Sequence, residues 1–143
     1  MNTKKVNALN YDLSRIKGGR VMSVSRSMAS LVMIELKFNG GEKSYIWLKY
    51  GNWYYFDKRK IRCTTESSGK KIDSWMALIK GKKIEDAQFN VKTITLSVKI
   101  EGNISICVHP CTSREFEHWD VFISNGWWTF GPGLALTWVK GEA

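Results

Sequence analysis

The hexapeptide IKGGRV at residues 16–21 returns as IKGKKI at residues 79–84, which is 63 positions later (79 minus 16). Each copy ends a segment with helical signals, at 10–18 and at 73–80, where a capping residue precedes apolar residues and a glycine stops the run. Each copy is then followed by a strand pattern. This order predicts an internal duplication. The alternative is that a helix, a glycine and a strand follow one another so commonly that the two segments match by chance.

Strand periodicity supports the duplication. Apolar residues alternate over 32–38, which is the period-two pattern of a half-buried strand, and the pattern recurs over 94–100 with a one-residue shift. A turn with glycine follows each run, at 39–41 and 101–103. The other strands predicted in the two αβββ-like units lie at 20–26, 45–49, 53–56 and 104–108.

We therefore predict an α+β, mostly β fold in which two pseudo-repeated αβββ-like halves form one antiparallel-sheet or barrel-like domain. The domain spans residues 1–143, with halves at about 10–62 and 72–139 and a polar connection at 62–71. After their third strands the halves are expected to diverge. The second half is predicted to continue with a helical turn at 113–118 and strands at 119–123, 127–130 and 134–139.

The composition indicates in which cellular compartment the protein is expected. With 143 residues, 43% of them hydrophobic, the chain is long enough to bury a core. It has no apolar run of the roughly 18 residues that a membrane helix needs, and no apolar run follows its basic first residues, so neither a membrane span nor a signal peptide is expected. The odd set Cys63, Cys107 and Cys111 indicates reduced thiols, and the cytoplasm is the expected compartment.

The net charge of +9, from 22 Lys and Arg against 13 Asp and Glu, favours an anionic partner. Basic residues cluster at 58–62 and at 80–83, with Lys70 and Lys71 between them. They predict an electrostatic surface for phosphates, with stacking by Trp47, Tyr50, Trp53 and Tyr54. The alternative is an ordinary solvated face with lysines that protect edge strands from aggregation.

Cys107, His109, Cys111 and His118 are the residues that most resemble a metal site. Residues 107 and 109 share one face of a strand, but the spacing fits no common zinc pattern, and Pro110 lies between two of the ligands. A cysteine nucleophile with a histidine and Glu115 or Glu117 would need partners in space that sequence adjacency does not supply. We predict no catalytic residue, no metal and no cofactor.

Trp127 and Trp128 are consecutive residues of a predicted strand. Consecutive strand side chains point to opposite faces, so one of the two leaves the core unless both faces are covered. An exposed tryptophan beside a turn is a candidate anchor for a binding partner. Burial on both faces is the alternative.

A resemblance extends over most of the chain. It is carried by Leu13-x-x-Ile16-x-Gly18-x-x-Val21, by Leu78-Ile79-x-Gly81-x-x-Ile84, by the strand that ends at Pro110, by Phe116-Glu117-x-Trp119 and by Gly131-Pro132. With these features the chain resembles a small bacterial family of unknown function, whose members resemble immunity proteins of polymorphic toxin and contact-dependent growth inhibition systems.

The resemblance implies a cytoplasmic bacterial protein that neutralises a cognate toxin domain by covering its active site or substrate surface. Nuclease toxins are commonly basic and would prefer an acidic inhibitor, so the positive charge must either meet an acidic toxin surface or face away from the toxin, or the immunity interpretation is wrong. The alternative function is a basic nucleic-acid-binding module. The predicted partner-binding residues are Trp53, Tyr54, Lys58, Arg59, Lys60, Arg62, Trp127 and Trp128.

Overall fold

The computed structural model describes residues 1–111 and 115–142. The elements in chain order are α1 (Thr3–Ser14), β1 (Arg20–Arg26), β2 (Val32–Lys37), β3 (Lys43–Leu48), β4 (Asn52–Asp57), β5 (Lys60–Thr64), α2 (Gly69–Met76), a short 3-10 helix (Ala77–Ile79), β6 (Ile84–Asn90), β7 (Thr95–Ile100), β8 (Ile104–His109), β9 (Trp119–Ile123), β10 (Gly126–Phe130) and β11 (Leu136–Lys140).

The strands form two antiparallel sheets. The six-stranded sheet has the order β1-β2-β3-β9-β10-β11, and the five-stranded sheet has the order β5-β4-β8-β7-β6. The predicted α+β, mostly β fold is confirmed, and its two sheets remain open and do not close into a barrel.

One continuous cluster of buried side chains lies between the sheets. Trp53 of β4 and Trp119 of β9 are its largest fully buried side chains, at 0% and 1% exposure. Helix α1 packs against β6 and adds Leu9 and Leu13 to the core, whereas α2 packs against β5. The helices therefore cover the gaps at the sheet edges, where apolar side chains would otherwise meet water.

The duplication extends beyond the third strand of each half. Strands β1 to β3 lie in the six-stranded sheet and β4 and β5 in the other, while β6 to β8 lie in the five-stranded sheet and β9 and β10 in the other. The turns of these two hairpins match, since Lys58 and Arg59 have φ of 52° and 68° and Ser124 and Asn125 have 52° and 72°. Two consecutive positive φ angles are typical of a type I′ hairpin turn. The expected divergence after the third strands is therefore wrong as far as β10.

The two copies of the repeated hexapeptide pair with each other. The N–H of Gly18 donates to the carbonyl of Ile84, and the N–H of Gly81 donates to that of Val21, both at 2.8 Å. Arg20 and Lys83 are opposed at the centre of this pairing. Because equivalent residues exchange equivalent hydrogen bonds, a pseudo-two-fold axis passes between the two copies.

Both helices begin earlier than predicted. Helix α1 spans Thr3–Ser14. It begins at Thr3 because the side chain of Asn2 accepts hydrogen bonds from the N–H groups of Lys4 and Lys5. Helix α2 begins at Gly69, after the capping side chain of Ser68. Strand β5 continues to Thr64, inside the segment predicted as a connection.

Two expectations concern the remainder of the chain. Part of the helical turn predicted at 113–118 lies outside the described residues, and residues 115–118 are not helical. Among the described helices, none has the length and apolar character needed to cross a membrane.

Candidate interaction surfaces

The outer face of the six-stranded sheet carries an aromatic cluster. Tyr45, Trp47, Phe122 and Trp127 project from β3, β9 and β10, and we call them the aromatic face. Strand register places Tyr45 beside Phe122 and Phe122 beside Trp127. The ring centroids of Phe122 and Trp127 are 5.2 Å apart, and those of Tyr45 and Trp127 are 6.5 Å apart and stacked. In the described part of the chain both helices pack at sheet edges, so this face has no helix across it.

A groove lies beside Trp47 at one end of this face. It encloses about 390 Å³, and its apolar lining includes Leu31, Tyr50, Phe116 and Pro132. The rings of Tyr50 and Phe116 are 4.6 Å apart. Their exposures of 47% and 46% leave both rings available to a partner.

Charges on this face form ion pairs with one another. The ammonium of Lys49 contacts carboxylate oxygens of Glu117 and Asp120 and lies 4.5 Å from the centroid of the Trp47 ring. Burial lowers the pKa of Lys49, but hydrogen bonds to the two carboxylates outweigh it and the pKa is raised, so the lysine stays charged. One oxygen of Asp120, Oδ1, is buried without a hydrogen-bond partner among the described residues. Nearby, Lys43 pairs with Glu35 at 3.0 Å.

Two of the three tryptophans predicted to bind a partner, Trp53 and Trp128, are buried. Trp53 is 0% exposed and its indole N–H donates to the carbonyl of Ser30 at 3.0 Å. Trp128 is 4% exposed and its indole N–H donates to a carboxylate oxygen of Asp12 at 2.8 Å. Neither side chain is available to a partner in this conformation. Trp127, on the opposite face of β10, is half-buried and belongs to the aromatic face.

The other predicted partner-binding residues lie on the five-stranded sheet. Tyr54 is on its outer face, with its ring edge-on to His109. Lys58 and Arg59 form the exposed turn between β4 and β5, followed by exposed Lys60. Arg62 is half-buried over the ring of Trp75, at 5.4 Å. The predicted set is therefore divided between separate regions of the molecule.

A second charged surface lies at the pseudo-two-fold axis. The paired hexapeptides carry Lys17 and Arg20 in the first copy and Lys80, Lys82 and Lys83 in the second, and we call these five residues the basic seam. None of them forms an ion pair with a described residue. The sequence cluster at 80–83 thus belongs to a larger patch, whereas Lys70 and Lys71 lie on α2 and the cluster at 58–62 lies on a hairpin.

The cysteine and histidine cluster is divided between a sheet surface and the core. The Nδ1 of His109 contacts the hydroxyl of Thr95 at 3.1 Å, and the Sγ of Cys107 lies 3.7 Å from the hydroxyl of Ser97. His118 is fully buried, and its Nδ1 accepts a hydrogen bond from the N–H of Cys111 at 3.0 Å. No group of three potential ligands suited to a metal occurs within residues 1–111 and 115–142.

Sequence reasoning did not identify Lys49, Phe116 and Asp120 as neighbours of the aromatic face. Strand alternation already places Tyr45, Trp47 and Lys49 on one side of the chain, and that signal was sufficient for part of the face. Phe116 and Asp120 join them only through the pairing of β3 with β9, which links distant parts of the sequence.

In comparisons with known proteins, no protein family, curated protein or solved structure matches this chain.

Proposed function

We propose that this protein is an immunity protein that binds a cognate bacterial toxin domain and blocks its active site or substrate surface. The observation that carries the proposal is the aromatic face with its adjoining groove, on the side of the six-stranded sheet that neither helix covers in the described residues. Aromatic side chains are enriched at the centres of protein interfaces, where they dominate the binding energy. The protein acts in the bacterial cytoplasm by binding and performs no catalysis.

The charge distribution removes one difficulty for this proposal. A net charge of +9 would oppose binding to a basic toxin. On the aromatic face, however, Lys43 pairs with Glu35, and Lys49 pairs with Asp120 and Glu117. The lysines beside the aromatic rings are therefore paired with carboxylates, so the net charge of the whole chain overstates the positive charge of this face.

A pull-down from native cell lysate tests the proposal. Wild-type protein is expected to retain, through a moderate-salt wash and nuclease treatment, one stoichiometric protein with a toxin-like C-terminal domain. The double variant Tyr50→Ala/Phe116→Ala removes two exposed rings of the groove and is expected to weaken binding at least about tenfold. Tyr11→Ala is the control, because Tyr11 is 69% exposed on α1. Equal binding by the double variant and this control would exclude the groove as the docking site.

The basic seam favours a second candidate function, a nucleic-acid-binding module. The paired hexapeptides bring five cationic residues of both halves into neighbouring positions, and none of the five forms an ion pair with a described residue. Such a patch attracts phosphates, and its affinity falls steeply with salt.

Fluorescence anisotropy with a labelled DNA oligonucleotide distinguishes this candidate. It predicts strong salt dependence and a loss of affinity in Arg20→Ala/Lys83→Ala. The control Lys70→Ala/Lys71→Ala removes the same number of charges from α2. Equal losses in the two variants indicate a response to net charge and oppose a site at the seam.

A further inference from the structure

Strand β11 is an unprotected edge of the six-stranded sheet. Four of its five residues are exposed, including Trp138 at 43% and Val139 at 63%. Its pairing with β10 is regular from end to end. An exposed, regular and apolar edge offers unpaired backbone groups to another strand.

Backbone groups of successive residues in β11 point alternately toward β10 and away from it, which identifies the unpaired groups. The N–H of Gly141 donates to Asn125, so odd-numbered residues of β11 face β10. The carbonyl of Leu136 accepts a hydrogen bond from the ammonium of Lys5, which confirms that even-numbered residues face outward. The N–H and C=O groups of Trp138 and Lys140 therefore point away from the sheet, without a partner among the described residues.

The edges of the five-stranded sheet are protected. Irregular register marks both, since β5 pairs with β4 across a shift between Tyr55 and Phe56 and β6 has a shift between Ile84 and Asp86. Each edge also has a helix beside it. The side-chain amide of Asn10 on α1 both donates to and accepts from the backbone of Phe89. Bulges and covering elements of this kind block the approach of another strand.

The opposite edge of the six-stranded sheet is protected as well. Strand β1 has a register shift between Val21 and Ser23, and it begins and ends with arginines. Arg26 is bound to Asp73 of α2 at 2.8 Å. Strand β11 has neither a bulge nor, in the described residues, a helix packed along it.

We propose that the β11 edge binds an extended segment of a partner protein as an added antiparallel strand, with an apolar centre and an acidic residue at each end. Trp138 and Val139 supply apolar contacts on the two sheet faces, and the backbone of Trp138 and Lys140 supplies hydrogen bonds. Lys5 and Lys140 stand at opposite ends of the edge and select the acidic residues.

Charge disfavours a second copy of this chain as the occupant. Antiparallel self-pairing centred on Trp138 would place Lys140 of one copy opposite Leu136 of the other, where Lys5 is bound. Two like charges would then meet at each end, between chains that each carry a net charge of +9. An acidic segment meets neither repulsion.

The edge is continuous with the aromatic face. Strand register leads from Tyr45 through Phe122 and Trp127 to Val139. A toxin docked on that face would be adjacent to the β11 edge. The source of the added strand therefore rests on the proposed function, whereas the strand-binding property does not.

A peptide without any toxin tests the strand-binding property. The probe is acetyl-Glu-Val-Thr-Val-Thr-Val-Glu-amide, followed by NMR shifts and hydrogen exchange of the backbone amides. Saturable shifts and slowed exchange are expected at the amides of Trp138 and Lys140. A peptide N-methylated at alternate residues, and one with lysine in place of the two glutamates, are each expected to bind at least tenfold more weakly.

Protein variants separate backbone pairing from side-chain contact. Both Trp138→Pro and Trp138→Thr remove the indole, but only the proline variant also removes the outward N–H. We therefore expect the threonine variant to keep part of its affinity for the peptide and the proline variant to lose it. Shifts confined to the aromatic face, equal binding of the N-methylated peptide, or a wild-type dimer with protected Trp138 and Lys140 amides would each overturn the proposal. Peptide binding at β11 with no toxin in the pull-down would leave strand binding intact and refute only the immunity function.

Discussion

Gly18 and Gly81 occupy equivalent positions on the two sides of the pseudo-two-fold axis, with φ angles of 87° and 85°. Each donates its N–H across the axis to the other half. A side chain at such a φ is strained, because Cβ approaches the backbone, even though both sites have open space around them.

Gly81→Ala is therefore expected to lower the free energy of unfolding by about 1–2 kcal/mol. Urea denaturation measures the change. The control is Gly141→Ala, at a position with open space and no positive φ, where we expect a change below about 0.5 kcal/mol. An equally stable Gly81 variant would show that the strain argument does not apply at the axis.

Trp127 and Trp128 are expected to respond oppositely to truncation. Trp128→Ala removes a buried ring and leaves Asp12 without its indole donor, so stability should fall by about 3–5 kcal/mol. Trp127→Ala should cost less than half as much, because its ring is half-buried on the outer face. Thermal unfolding of both variants checks the order, and a larger loss for Trp127 would contradict the assignment of faces.

Lys49 neutralises two carboxylates in a partly buried site, with side-chain exposures of 17% for Lys49 and 9% for Asp120. Lys49→Met should destabilise the fold by about 2–4 kcal/mol, because a buried carboxylate loses its counter-charge. Adding Asp120→Asn should restore part of this loss. Lys43→Met is the control, since that lysine is 48% exposed and water screens its ion pair with Glu35, so its loss should change stability far less. Strict additivity of the Lys49 and Asp120 changes would disprove the coupling.

His118 makes the free energy of unfolding depend on pH. Burial lowers the pKa of its ring below the ordinary 6.5, and a hydrogen bond to the backbone of Gly133 offsets only part of this shift. The unfolded chain therefore binds a proton at a higher pH than the folded chain does. The free energy of unfolding should fall as the pH drops below about 6.5, by at most about 1.4 kcal/mol per pH unit.

Urea titrations at pH 7.5 and pH 5 measure this dependence. His118→Gln should reduce it, because glutamine has no proton to gain at pH 5. A pH dependence of unchanged size in the His118 variant would contradict the assignment of this dependence to His118.

The fold was more predictable from sequence than the site. Strands 20–26 and 119–123 have the predicted bounds, and the alternating run at 32–38 forms β2 to within one residue. The repeated hexapeptide predicted two related halves, but only the sheet topology shows that its copies pair. Both helices begin before the predicted residues, because the side chains of Asn2 and Ser68 cap their first turns.

Partner-binding residues were harder to predict, because the sequence of an all-aromatic strand does not show which of its two sides is buried. In Trp53-Tyr54-Tyr55-Phe56 every residue is aromatic, so alternation cannot identify the buried side, and Trp53 and Tyr55 prove to be the core residues. In Trp127-Trp128 the same ambiguity hid the inward side chain. The groove depends on Phe116 and Trp47, which are adjacent only in three dimensions.

The placement of each half's second hairpin in the other half's sheet bears on how the protein folds and originated. Neither half contains all the strands of either sheet, so neither can complete its sheet alone. Two copies of a half-length chain would form this architecture by domain swapping, and the connection between β5 and α2 then acts as the fusion that makes the dimer a monomer. The β3–β9 and β4–β8 pairings require long-range contacts, which predicts slow folding that is completed only after β9 has been synthesised.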